Sequence, residues 1–169
     1  MKIIEDYKCF IDGKGIIKAI STIFLNPCFH SVVLYRLSHF FYKIKLVIIA
    51  KIIWYINRLL FHVDIDYRAN LAGGLVLVHG LGVVIGSGVK SKGKLKVYQG
   101  VTIGGNKSKF RVIDGKKQWM PVLEDGVVLY TDCKLFGPII IAPNTKINAA
   151  SIITEDIINQ TYEAEDDYQ

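Results

Sequence analysis

Four histidines are spread over the 169 residues, and one of them, His79, stands in the string Val78-His79-Gly80-Leu81-Gly82. An imidazole that titrates near 6.5 is the side chain best suited to take a proton from a hydroxyl at neutral pH. The glycine beside it lets a ligand approach closely. Asp64 lies fifteen residues earlier. A carboxylate near that ring could hold one nitrogen and stabilise the imidazolium that forms. Each residue also has a plain alternative. A lone histidine in a Val/Leu-rich strand is by default a satisfied structural residue, and an aspartate is a common corner residue.

The elements that must position this pair show in a repeat. An aliphatic residue recurs at Ile65, Leu71, Leu77, Val83, Val89, Leu95 and Val101, and again at Leu123, Leu129, Leu135, Ile141, Ile147 and Ile153. Neither a helix period of 3.6 nor a strand period of 2 produces a step of six over so many turns. A six-residue step predicts a mainly β fold, a parallel β-helix whose three flat faces each use one hexad. Coils of eighteen residues would then bring Asp64 close to His79 on the adjoining turn. Gly73, Gly74, Gly86, Gly88, Gly126, Gly137 and Asn144 suit its corners. The two runs are out of phase, so the polar, basic stretch at about 105–121 must leave the prism as a loop.

Before the repeat the texture is helical. Gly13 and Gly15 mark a turn between two short segments. Asn26 and Pro27 open a helix as cap and first-turn residue, and residues 46–63 read as a second helix. That run is eighteen residues long, but Lys51, Asn57 and Arg58 inside it argue against crossing a bilayer. A packed helix and an interfacial membrane helix both remain open. The expected organisation is a helical segment at 1–62, a β-helix at 63–157 and a disordered acidic tail at 158–169.

Composition narrows the function classes. A chain that is 51% hydrophobic and 21% charged is not disordered. Three scattered cysteines without a CxxC fit a reduced protein with no disulfide framework and no metal site. With no secretory signal visible after Met1, the expected location is the cytoplasm, with peripheral contact at the inner face of the plasma membrane through residues 26–62 as an option. Residues 1–125 carry nineteen Lys/Arg against eight Asp/Glu, which suits a phosphorylated cofactor or an anionic membrane. No motif supports nucleic-acid binding.

The strings FHVDIDYRANLAGGLVLVHGLGVVIG and VYQGVTIGGN, preceded by NPCFHSVVLYRLSHFF, resemble the serine acetyltransferase family of hexapeptide-repeat acyltransferases over about residues 26–157. The resemblance implies a left-handed β-helix, a homotrimer, and acetyl-CoA held between neighbouring prisms. It implies His79 as catalytic base and Asp64 as its carboxylate partner. Gly104 and Gly105 would offer backbone N–H groups to the thioester carbonyl. Thr131 and Ala149 would line the pantetheine arm, and Lys146 would meet the CoA phosphates. Three departures stand out. Trp119, Met120 and Pro121 replace the family's Arg-His-Pro string. About sixty residues precede the prism where the family's long helical N-terminal domain is expected, and the sequence ends in INQTYEAEDDYQ where its GxPA string is expected. Without that arginine a serine zwitterion loses a charge-assisted partner, and Trp119 and Met120 become candidate substrate-binding residues suited to stacking on a sugar ring. The expected activity is therefore acetyl-CoA-dependent O-acetylation, with a surface-polysaccharide sugar as acceptor. Serine O-acetylation for cysteine synthesis is the alternative, and a non-catalytic binding module is a third reading.

Overall fold

The computed structural model describes residues 1–158 apart from 108 and 114, so the expected acidic tail lies outside the described residues except for Ile158. Four helices come first: α1 (Lys2–Ile11), α2 (Gly15–Leu25), α3 (Pro27–Lys43) and α4 (Val47–Phe61). Asn26 caps α3 through its side chain, which accepts from the Phe29 N–H at 3.1 Å, satisfying one of the donors that a helix start leaves open.

A parallel β-helix follows, with short strands on three faces. The first face stacks β1 (Asp64–Ile65), β3 (Val84–Ile85), β6 (Thr102–Gly104), β11 (Lys134–Phe136) and β14 (Ile152–Ile153). The second stacks β4 (Lys90–Ser91), β9 (Val122–Leu123) and β12 (Ile140–Ile141), and the third β2 (Leu75–Val78), β5 (Leu95–Tyr98), β10 (Val127–Leu129) and β13 (Lys146–Ile147). A hairpin, β7 (Arg111–Ile113) with β8 (Lys116–Gln118), stands in the loop expected at about 105–121. Gln118 Nε2 pins its base to the carbonyls of Gly88 and Met120, at 3.2 and 2.7 Å.

The register corrects the strict six-residue reading. Ile65 stacks on Ile85 and Leu77 on Val97, twenty residues apart, whereas Ile85 stacks on Ile103 eighteen apart. The inward series is therefore Ile65, Leu71, Leu77, then Ile85, Ser91, Val97, Ile103. Two extra residues sit between Leu77 and Ile85. The aliphatic count ran unbroken across this step because alternate strand residues face the same way. Val83, Val89, Leu95 and Val101 are the companions two residues earlier, and they too are buried.

One ion pair fastens the helices to the first coil. Asp6 of α1 is fully buried, and Arg36 of α3 donates to it from Nε at 2.8 Å and Nη2 at 2.9 Å. The Asp6 carboxylate also accepts from the backbone N–H groups of Gly74 and Leu75, both at 2.8 Å. Arg36 reaches on to the carbonyls of Leu71 and Ala72, at 2.7 and 2.6 Å. Asp6→Ala would leave a nearly buried guanidinium and two N–H groups without their anion. It is expected to lower unfolding stability by about 3–5 kcal/mol, read from urea denaturation.

His39 of α3 bonds the Tyr67 carbonyl through Nδ1 at 2.8 Å, and burial holds its imidazole below the ordinary value of 6.5. Between the lowered folded value and 6.5 the unfolded chain binds the proton that the folded chain refuses. Stability is expected to be undiminished above about pH 6.5 and to fall as pH drops through that window. Melting temperatures between about pH 8 and pH 5 should show this slope, and His39→Gln should reduce it.

Candidate active site

The two extra residues are spent at one corner. Between β2 and β3 the chain runs His79-Gly80-Leu81-Gly82, with His79 at φ 53° and Gly82 at φ 71°. The bulged corner pushes the His79 side chain outward, where it is exposed. His79 shares this left-handed backbone with other non-glycine corner residues, Asp132, Asn144 and Ala150, a conformation that a tight corner demands. Below it the corner is secured by Gly82 N–H to the His62 carbonyl at 3.0 Å and Gly100 N–H to the Leu81 carbonyl at 2.9 Å.

His79 heads a stack of residues that follow the strands of the third face. Val78 pairs with Tyr98, Val97 with Leu129, and Leu129 with Ile147. His79, Gln99, Thr131 and Ala149 therefore share one edge of the prism. Two of the residues expected to line a cofactor, Thr131 and Ala149, are thus brought into line with His79. Gln99 was missed, although the QGVTIGG string contains it. Its amide oxygen is buried without a partner among the described residues, leaving an acceptor on this edge for a donor.

Two cavities meet at His79. One, of about 620 Å³, lies between the helices and the outer side of β2, and is bordered by Lys14, Lys18, Asn26, Cys28 and Lys96. The other, of about 310 Å³, is bordered by Cys28, Leu60, Phe61, His62 and Leu81. Cys28 divides them, its Sγ accepting from the Gly80 N–H at 3.3 Å. Three lysines against Asp12 make the larger cavity favourable to an anion.

Asp64 departs from expectation. The Trp54 Nε1–H of α4 donates to its Oδ1 at 2.8 Å, and Arg58 lies 3.4 Å from its Oδ2. Among the described residues no hydrogen bond joins Asp64 to His79, and Asp64 lines a different cavity, beside Tyr55, Arg58 and His62. The His79–Asp64 contact is therefore not formed in this structure. The helix laid over β1 supplies a neutral donor to the carboxylate, while the bulged corner carries the imidazole away from it.

The other expected residues are also dispersed. Gly104 and Gly105 follow the opposite end of the first face, four residues beyond Gly100 on the His79 edge, or ~13 Å of extended chain. A single chain does not bring their N–H groups to His79. Gly105 lies against Met120 at the base of the loop, at ordinary contact distance. Met120 rests against Gly86, Gly88 and Gly105, and Trp119 pairs with Phe110 at 6.0 Å between ring centroids. Both serve to seat the loop, and neither borders the cavities at His79. Lys146 stands on the outer side of the third face, in register with Val128 and, one coil further, Lys96.

Comparison with known proteins follows this geometry. No family model matches the chain. A serine acetyltransferase of Synechococcus elongatus is 34% identical over 131 residues, covering 78% of this chain and 51% of that protein. One from Helicobacter pylori is 32% identical over 135 residues, covering 80% of this chain and 75% of that protein. The chain thus spans about half the length of the first relative and three quarters of the second. Among solved structures, the Brucella abortus serine acetyltransferase in complex with coenzyme A has a TM-score of 0.82 at 24% identity, covering 92% of this chain and 60% of that one. The Neisseria gonorrhoeae enzyme in complex with serine has a TM-score of 0.78 at 27% identity, covering 92% and 61%. The β-helix is left-handed, as in these proteins.

These relatives overturn the sugar acceptor, and with it surface-polysaccharide synthesis, expected from Trp119 and Met120. Neither side chain borders the cavities at His79, although Trp119 remains 46% exposed. Trp54→Phe, which removes the donor to Asp64 and keeps a ring, is expected to cost ~0.5–1.5 kcal/mol in thermal or urea unfolding.

Proposed function

Since the chain belongs to the serine acetyltransferase family, we propose that it moves an acetyl group from acetyl-CoA to the hydroxyl of L-serine. The observation that carries this reading is His79, exposed on a bulged, glycine-flanked corner where a lysine-bordered cavity meets the edge bearing Gln99, Thr131 and Ala149. Relatives of similar fold bind coenzyme A and serine.

The serine hydroxyl attacks the thioester carbonyl as His79 takes its proton. The new C–O bond forms, the C–S bond breaks, and the proton passes to the departing thiolate. The cations at Lys14, Lys18 and Lys96 suit the serine carboxylate, which the replaced Arg-His-Pro string no longer holds. The pantetheine arm would run along the Thr131–Ala149 edge, with Lys146 on the adjoining face open to CoA phosphate. Edge-to-edge assembly of prisms, the trimer that the resemblance implies, would let Gly104 and Gly105 of one copy serve the His79 corner of another. Asp64 would act on the imidazole only after releasing Trp54.

Release of CoA thiol from acetyl-CoA, followed with and without L-serine, tests the proposal. Serine-dependent release is expected. His79→Ala, with an unchanged circular dichroism spectrum, should lower the rate by roughly 10²- to 10⁴-fold. An absence of serine-dependent thiol release, or a fully active His79→Ala protein, would overturn the assignment.

A further inference from the structure

Two helices of this protein are turned inside out. In α2, Thr22 is 1% exposed and faces the body, whereas Ile16 is 75% exposed and Ile17, Ile20 and Phe24 face outward with it. In α4 the buried residues are Ala50 and Asn57. They meet α3 through small and polar groups, Ser38 Oγ donating to the Ala50 carbonyl at 2.7 Å and Asn57 Nδ2 to the Ser31 carbonyl at 3.1 Å. The outward side of α4 carries Ile48 at 76% exposure, with Ile52 and Ile56. His30 of α3 connects the two, its Nε2 lying 2.7 Å from the Ile23 carbonyl and its ring 6.3 Å from that of Phe61. So much exposed apolar surface marks a face with a partner.

Charge identifies that partner. From Gly13 to Val63 there is no Asp or Glu, against seven basic residues: Lys14, Lys18, Arg36, Lys43, Lys45, Lys51 and Arg58. All but Arg36 are exposed. Lys14 and Lys18 border the cavity at His79 beside Asp12, and Arg58 is paired with Asp64. The exposed cations left without an ion pair among the described residues are therefore Lys43, Lys45 and Lys51. Packing this face against its own copy would bring them together with no acid between residues 13 and 63 to pair them. A bilayer of anionic lipid satisfies both properties, taking the aliphatic side chains below its headgroups and the ammonium groups among its phosphates. Among the described residues no single helix is long and apolar enough to cross a membrane. The fifteen residues of α4 extend only about 22 Å, and Lys51 reaches the interface by bending its stem outward.

We propose that α2 and α4 form a docking face for an anionic membrane surface, with both helices lying in the interfacial plane. Vesicles of phosphatidylcholine with phosphatidylglycerol, compared with phosphatidylcholine alone, test this by co-sedimentation of the full chain. Binding is expected to require the anionic lipid and to weaken with added salt. Lys51→Gln should lower the partition coefficient about fivefold. Ile16→Glu and Ile52→Glu, each with a native circular dichroism spectrum, should lower it about tenfold or more. Failure to sediment with anionic vesicles would overturn the proposal, as would undiminished binding by both glutamate variants. So would an assembly that ignores vesicles and falls in mass, by light scattering, on Ile52→Glu, since that face would then be a seam between copies.

Discussion

The arrangement depends on a buried carboxylate that serves two elements at once. Asp6 receives the guanidinium of Arg36 and the N–H groups of Gly74 and Leu75. Arg36 returns two hydrogen bonds to the carbonyls of Leu71 and Ala72. The first coil of a parallel β-helix has no coil beneath it, so polar backbone groups there need other partners. Here a helix pair provides them, and α2 and the start of α3 are thereby set against the outer side of β2. The cavity beside His79 exists because that contact holds its walls in place.

Given this anchorage, chemistry is concentrated where the coil is irregular. A regular eighteen-residue coil would pass the His79 corner with a tight turn. The two additional residues between Leu77 and Ile85 instead lift the imidazole out of the stack and into two cavities. The same corner, repeated without insertion, yields the straight edge of Gln99, Thr131 and Ala149 down which an extended ligand can lie. Regular repeats give the rail and the irregular one gives the reactive group.

The helical layer has two unlike sides. Toward the prism it offers Asn26, Cys28 and lysines, a polar and basic surface. Toward solvent α2 and α4 present isoleucine and phenylalanine, with Lys51 beside them on α4. Amphipathic helices usually bury the apolar side, and here the small and polar residues at the α3–α4 seam leave the aliphatic ones outside.

Much of this was legible in residue order alone. Burial selects aliphatic residues at a regular step, so the period of six revealed the β-helix and the extruded loop near 105–121. Thr131 and Ala149, by contrast, were named by the family resemblance and aligned with His79 only by strand pairing. Local signals also sufficed for the Asn26 cap, which depends only on a side chain three residues from its N–H. Tertiary structure alone decided the rest. Inward positions two apart are interchangeable in a hydrophobic pattern, which hid the insertion at His79 until strand pairing revealed it. Asp64 meets Trp54 and Arg58 because a helix crosses β1, and Asp6 meets Gly74 over 68 positions of chain. Such partners are chosen by packing between segments, a competition among distant groups that no local spacing records.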